Sequence, residues 1–220
     1  DDVDGNLRPH IPVAASAIAD MGAYESTHED IPTPTFDDTY ADDAMADDSL
    51  LGNSPIPNVP NAGDGPKKTI QAALDVTSPG GRCHVLAGAY TEDLLYEDGQ
   101  SLLGAGRDLV TLNGGIVAND TAEISGFTVQ GGSGILLAAN VPSSAVIQDN
   151  TVRNSVEVDS KTYGIRCVDC GPSLRRNIIH DIDGWWSAGI QLAGNWYGDG
   201  GVLWQRIENC LVYNIAGGAY

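Results

Sequence analysis

Between Ile124 and Val212 the chain repeats a six-residue phrase. Ile124-Ser-Gly-Phe-Thr-Val129, Ile147-Gln-Asp-Asn-Thr-Val152, Leu174-Arg-Arg-Asn-Ile-Ile179 and Ile207-Glu-Asn-Cys-Leu-Val212 each begin and end on an aliphatic residue. Their starts lie 23, 27 and 33 residues apart. A second phrase travels with the first: Gly134-Ile-Leu-Leu137, Gly164-Ile-Arg-Cys167 and Gly189-Ile-Gln-Leu192. Units of this length cannot bury a hydrophobic face alone and must stack on their neighbours. The phrases are strand-like and the insertions are confined to the turns, so each unit reads as one circuit of a solenoid.

The alignment sets a register. Phe127, Asn150, Asn177 and Cys210 fall at one level, and Gly131, Asn154, Asp181 and Asn214 at another. Stacked circuits bring equivalent residues to about 4.8 Å. An Asn column at that spacing is expected to hydrogen-bond along the stack and to satisfy the turn backbone. The same register predicts buried columns containing Val85, Ile124, Val129, Ile135, Ile147, Val152, Ile165, Leu174, Ile179, Ile190, Ile207 and Val212. Each such burial is worth about 1.5–3 kcal/mol. A β-sandwich, the alternative, needs antiparallel hairpin signals, and Asn-Gly occurs only at Asn113-Gly114.

Upstream, Thr69-Ile-Gln-Ala-Ala-Leu-Asp75 places Ile70, Ala73 and Leu74 on one helical face, with Thr69 as a cap. Cys83, Val85 and Ala87 share a strand face. Residues 26–65 read instead as an acidic linker containing Pro32, Pro34, Pro55, Pro57 and Pro60. Its Asp pairs, Asp37-Asp38, Asp42-Asp43 and Asp47-Asp48, are expected to repel one another and offer little to a core. A short ordered piece between Tyr40 and Leu51 is allowed for, anchored by Ala41, Met45, Leu50 and Leu51. Residues 1–48 hold 13 of the 30 acidic groups, and the whole chain carries a net charge of -19. That charge argues against nucleic acid, whose phosphates need clustered Lys and Arg. No apolar run is long enough to span a bilayer.

Thr69-Ile-Gln-Ala-Ala, Val85-Leu-Ala-Gly-Ala-Tyr-Thr-Glu92, Leu102-Leu-Gly-Ala-Gly and the Ile-x-x-Asn-x-Val units together resemble the right-handed parallel β-helix family of pectate-lyase-like and NosD-like bacterial surface proteins. The resemblance covers 66–220. It implies an all-β, right-handed parallel β-helix solenoid with a short N-terminal capping helix, preceded by the acidic linker, in an extracellular or cell-surface setting. Asp4-Gly-Asn-Leu-Arg8 followed by Asp20-Met-Gly-Ala-Tyr-Glu25 is similar to the closing motif of surface β-helix proteins. Three segments result: a closing segment at 1–25, the linker at 26–65 and the β-helix at 66–220. The circuit ending at Tyr220 is expected to be open and to self-associate. Residues 1–25 are expected to complete a β-helix other than the one they lead into, either the end of a neighbouring copy in a head-to-tail fibre or an earlier part of a longer chain, and the linker is long enough to allow folding back onto the chain's own open end.

Several chemistries are candidates on this scaffold. An esterase of the pectin type would need two Asp and an Arg on one face, yet Gln148-Asp149 is followed by Asn-Thr and no Asp-Phe motif follows. A lyase would use an Arg base with a calcium site, but Arg175 and Arg176 sit on a repeat strand, one outward and one near the turn. Asp181 and Asp183 are a carboxylate pair suited to glycoside hydrolysis, although a ladder role for Asp181 explains it more simply.

Trp185, Trp186, Trp196, Tyr197 and Asp199, with Asp181 and Asp183, form the candidate ligand surface. It suits a glycan, by stacking on sugar C–H faces, a subunit interface, or local packing over the edge of the core. Asp2, Asp4 and Asn6 alternate oxygen donors before a turn and are candidate calcium ligands. Cys167-Val-Asp-Cys170 has no second pair, so core thiols or one local disulfide are expected there. The expected role is a structural or adhesive module that is not an enzyme. The alternative is a polysaccharide-binding or polysaccharide-degrading lyase or hydrolase.

Overall fold

The computed structural model describes residues 34–57, 63–139, 141–155, 161–194 and 206–217. The chain divides into two units, Asp1–Pro32 and Thr33–Tyr220, and every described residue belongs to the second. The expected closing segment at 1–25 and the expected open end at Tyr220 therefore lie outside the described residues.

The fold is all-β, and every strand pairing among the described residues is parallel. Numbered along the chain, the first sheet holds seven strands. They are β1 (Phe36–Ala41), β2 (Thr77–Val85), β5 (Ser101–Gly104), β7 (Glu123–Ser125), β9 (Val146–Gln148), β12 (Ser173–Arg175) and β15 (Arg206–Glu208), in that spatial order. The second sheet holds nine strands. They are β3 (Gly88–Tyr90), β4 (Leu94–Tyr96), β6 (Val110–Ala118), β8 (Thr128–Leu137), β10 (Thr151–Arg153), β11 (Thr162–Val168), β13 (Ile178–Gly184), β14 (Ser187–Ala193) and β16 (Leu211–Gly217). The chain leaves the first sheet, crosses the second and returns one strand further along. Each repeated phrase supplies one strand to each sheet.

The register follows the sequence alignment. Ile124, Ile147, Leu174 and Ile207 are direct partners on the first sheet, and Val129, Val152, Ile179 and Val212 on the second. Gly134, Gly164 and Gly189 precede the partnered Ile135, Ile165 and Ile190. Nine of the twelve expected core residues are fully or almost fully buried. Ile190 is half-buried, while Ile207 is 48% and Val212 43% exposed. These last two correct the sequence reading. Their strands pair on one side only among the described residues, and a column buries a side chain only when a circuit covers it.

Two corners carry the turn chemistry. Gly126, Asp149, Arg176 and Asn209 have φ of 82°, 56°, 51° and 52°, and Gly131, Asn154, Asp181 and Asn214 have 74°, 49°, 55° and 51°. Left-handed backbone favours Gly, Asn and Asp, which explains the residue types at the second level. Corner backbones also bond circuit to circuit: Gly131 N–H donates to Asn154 O and Asn154 N–H to Asp181 O, both at 3.0 Å.

Between these corners runs the expected Asn ladder. Asn150 Oδ1 accepts from Phe127 N–H at 3.0 Å, and Asn177 Oδ1 accepts from Asn150 N–H at 3.1 Å. Asn150 Nδ2 donates to Ile124 O and Asn177 Nδ2 to Ile147 O, so each amide joins two circuits. Both residues are fully buried.

The segment expected to be a linker, 26–65, is corrected most. Its residues 36–41 form β1, paired along β2, with Thr39 and Ala41 fully buried. The Asp pairs divide their work. The first member of each of two pairs closes its own turn: Asp42 Oδ1 accepts Ala44 N–H and Asp47 Oδ1 accepts Ser49 N–H. The second reaches across the chain, Asp43 to Ala89 N–H and Asp48 to both Thr69 N–H and Thr69 hydroxyl. Asp38 faces His84 at 3.0 Å. Of the anchors, Ala41 is buried, Met45 and Leu50 are half-buried and Leu51 is 37% exposed.

The short helix α1 (Ile70–Asp75) packs against β1, β2 and β4 and buries Ile70, Ala73 and Leu74. Thr69 accepts from Ala72 N–H as its cap. The Glu92 carboxylate accepts the Ile70 and Gln71 N–H groups, both at 2.9 Å.

Candidate functional site

Of the residues singled out for ligand binding, four are described. Asp181 sits at the left-handed corner. Its carboxylate accepts from Asn214 Nδ2 and lies 2.7 Å from His180 Nδ1. Those two bonds, Asn214 first, hold its carboxyl below the usual range. It is a ladder residue, tied to the next circuit. Asp183, two residues on in β13, is exposed and pairs with Ala216.

Trp185 and Trp186 form the two-residue link from β13 to β14 and are 62% and 57% exposed. The link is held firmly. Trp186 O accepts from Thr162 N–H at 2.8 Å, and the Ser187 hydroxyl lies 3.0 Å from Gly184 O and 2.8 Å from Ala216 O. Trp196, Tyr197 and Asp199 lie outside the described residues, as do the candidate calcium ligands Asp2, Asp4 and Asn6. Among the described residues there is no group of three or more His, Cys, Asp or Glu side chains placed to hold a metal ion.

Outward side chains bond along the stack on both sheets. On the second sheet Gln130 Nε2 donates to Asn113 Oδ1 at 2.8 Å, and Arg153 Nε donates to Gln130 Oε1 at 2.9 Å. In the same column the His180 and Tyr213 rings stack at 4.9 Å. On the first sheet Gln148 Nε2 donates to Glu123 Oε1 at 2.8 Å, Arg175 pairs with Glu208 at 3.3 Å, and Tyr40 stacks on His84 at 5.1 Å.

A cluster that the sequence reading missed lies at the first corner. Arg107, from the loop before β6, donates to Asp149 Oδ1 at 3.2 Å and to Arg176 O at 3.0 Å. Arg176 donates to both Asp149 oxygens and to Gln148 Oε1. This ion pair holds Arg176, the one long side chain at a left-handed corner among the described residues. The Arg176 bond, followed by the Arg176 and Arg107 charges, depresses the Asp149 carboxyl, and slight burial opposes them. A depressed carboxyl stabilises the fold above its unfolded pKa, and that stability is lost as pH falls through the lower folded value. Asp149→Asn, which keeps the corner conformation, is therefore expected to remove about 0.5–1 kcal/mol at neutral pH after allowance for solvent screening. The difference from the parent should begin to shrink as pH falls towards the ordinary carboxyl value of 3.8 and vanish below the depressed folded value. Urea midpoints collected as a function of pH check it.

The cysteines follow the alignment. Cys167 points inward beside Leu137, and Cys170, beyond the left-handed Asp169, is buried with Sγ 3.6 Å from Leu137 O. A hydrogen bond between the two thiols pushes Cys167 up and Cys170 down. Burial pushes Cys83 up to about 12.

Comparison with protein-family models, curated proteins and solved structures found no match to the chain. No helix among the described residues is long and apolar enough to cross a membrane.

Proposed function

We propose that Thr33–Tyr220 is a right-handed parallel β-helix with a structural and adhesive role at the outside of a bacterial cell. The alternation between two parallel sheets, one phrase per circuit, supports the solenoid, and crossover connections between parallel strands are right-handed almost without exception. α1 would close the interior beside β1 and β2.

The observation that carries the structural reading is where the polar side chains are spent. Asn113, Gln130 and Arg153, Glu123 and Gln148, Arg175 and Glu208, and Arg107, Asp149 and Arg176 all bond from one circuit to another. Networks of this kind stiffen a stack. Asp181, the first member of the carboxylate pair that a hydrolase would use, is engaged in the same way.

An antibody raised against the purified chain is expected to label intact producing cells as strongly as permeabilised ones. Labelling only after permeabilisation overturns the surface assignment. Release of new reducing ends or unsaturated uronides from a panel of polysaccharides overturns the non-enzymatic one.

A further inference from the structure

We propose that Cys167 and Cys170 are a disulfide-forming pair: in an oxidising medium they close a bridge that staples the corner between β11 and β12. The inference goes beyond the adhesive reading and does not depend on it, because the thiol chemistry of the purified chain does not turn on where the protein resides.

The backbone brings the two sulfurs to one point. Cys167 is an inward residue of β11 and the direct partner of Leu137 in β8. The peptide that follows Leu137 donates its Ala138 N–H to Ala118 O, on the β6 side. In a trans peptide the carbonyl points the opposite way, so Leu137 O faces β11, where Cys167 lies. Cys170 Sγ is 3.6 Å from that same oxygen. The reversal that returns Cys170 to the interior is made at Asp169, whose φ is a left-handed 52° and whose N–H is held by Ala193 O at 2.7 Å. Both thiols are buried, and they are hydrogen-bonded to each other. Side chains in contact across so tight a reversal meet the short separations that a disulfide demands.

The co-reactant is a small-molecule disulfide such as oxidised glutathione. The Cys170 thiolate attacks one of its sulfurs, a mixed disulfide forms and one glutathione thiolate leaves. The Cys167 thiol then gives its proton to solvent, its sulfur attacks the Cys170 sulfur, and the second glutathione leaves. Two protein thiols are oxidised to one disulfide, and one external disulfide is reduced to two thiols. Cys170 acts first because the bond from Cys167 favours its thiolate, and the thiolate is the nucleophile. The second step joins sulfurs already held in contact, so it outruns return of the departed glutathione. Cys83, beside Thr39, and Cys210, beside Asn177 and Glu208 O, serve as internal controls. Such bridges persist in oxidising surroundings and open in reducing ones, so the medium sets whether this corner is stapled.

The test is redox equilibration of the full chain in oxidised and reduced glutathione, with urea below the unfolding transition so that local opening admits the reagent while the fold is kept. Once the composition is constant, the chain is quenched in acid, unfolded, alkylated with iodoacetamide and cut with trypsin. Cleavage after Arg166 and Arg175 leaves both cysteines in one peptide, 167–175. That peptide is expected without alkyl groups and lighter than the dithiol by two hydrogens, while Cys83 and Cys210 are alkylated. The oxidised chain should melt a few degrees above the same chain in reductant, since a bridge across a short loop stabilises modestly. C167A/C170A should melt alike under both conditions. A doubly alkylated 167–175 peptide, glutathione retained on it, an oxidised chain that melts no higher than the reduced one, or an equal shift in C167A/C170A overturns the proposal. None of these outcomes bears on cell-surface labelling, so the adhesive reading stands or falls separately.

Discussion

Asn150→Ala is expected to destabilise the fold by about 2–4 kcal/mol. The Asn150 amide is fully buried, accepts the Phe127 N–H and donates to Ile124 O and to Asn177 Oδ1 at 3.2 Å. Alanine removes all three bonds at once. The Phe127 N–H then has no partner inside a dry interior, and a buried donor left unpaired costs about 1–3 kcal/mol by itself. The vacated volume adds to that. Asn113→Ala, on the outer face of the same stack, should stay within about 1 kcal/mol, because water replaces its bonds. Urea denaturation of the two variants measures the difference. If N150A unfolds within 1 kcal/mol (about one net hydrogen bond) of the parent, the ladder is not the device that joins these circuits.

A comparable loss, about 2–4 kcal/mol, is expected for Gly164→Ala. Here the backbone conformation is ordinary and the reason is space. A β-carbon on Gly164 would meet Ile179 Cγ2 inside van der Waals contact and Gly189 O at 2.5 Å. Ile179 is fully buried in its own column and the carbonyl belongs to the adjoining strand, so neither yields freely. Overpacking at a rigid contact costs about 1–3 kcal/mol and more where backbone must shift. Gly217→Ala is the comparison, since its added carbon finds only Ser187 N at 3.8 Å. That variant should melt within a few degrees of the parent, while G164A melts well below it. Equal melting temperatures would mean that the Gly-Ile phrase does not mark a close approach of circuits.

These two residues also show what was legible beforehand. Asn150 and Asn177 recur at a fixed phase of a repeat, so stacking the repeats sets one above the other before any coordinates are known. Gly164 was visible as part of a travelling phrase for the same reason. The Asp-rich segment was misread because composition records only the charges. The acceptors fit particular N–H groups, such as Asp43 on Ala89, 46 residues away, and no local pattern announces such a pairing. Arg107 was missed likewise, since its partner Asp149 is 42 residues distant. Ile207 and Val212 match the repeat perfectly yet stand exposed, because periodicity assigns a side chain to the inner face and only a neighbouring circuit buries it. At the candidate site the sequence gathered seven residues into one cluster. The structure assigns Asp181 to a corner ladder and leaves Asp183, Trp185 and Trp186 at the surface.

Distance measurement between spin labels tests the stiff stack of parallel circuits most directly. Arg82 and Arg206 are exposed members of one outward column, linked through Ser101, Glu123, Val146 and Ser173. Five inter-strand steps place them about 24 Å apart. With nitroxides at R82C and R206C, in a chain carrying Cys210→Ser so that the half-buried thiol is not labelled, double electron–electron resonance should give one narrow distribution centred near that distance. A broad distribution, or a centre displaced by more than about two strand spacings, would contradict the stacked-circuit account.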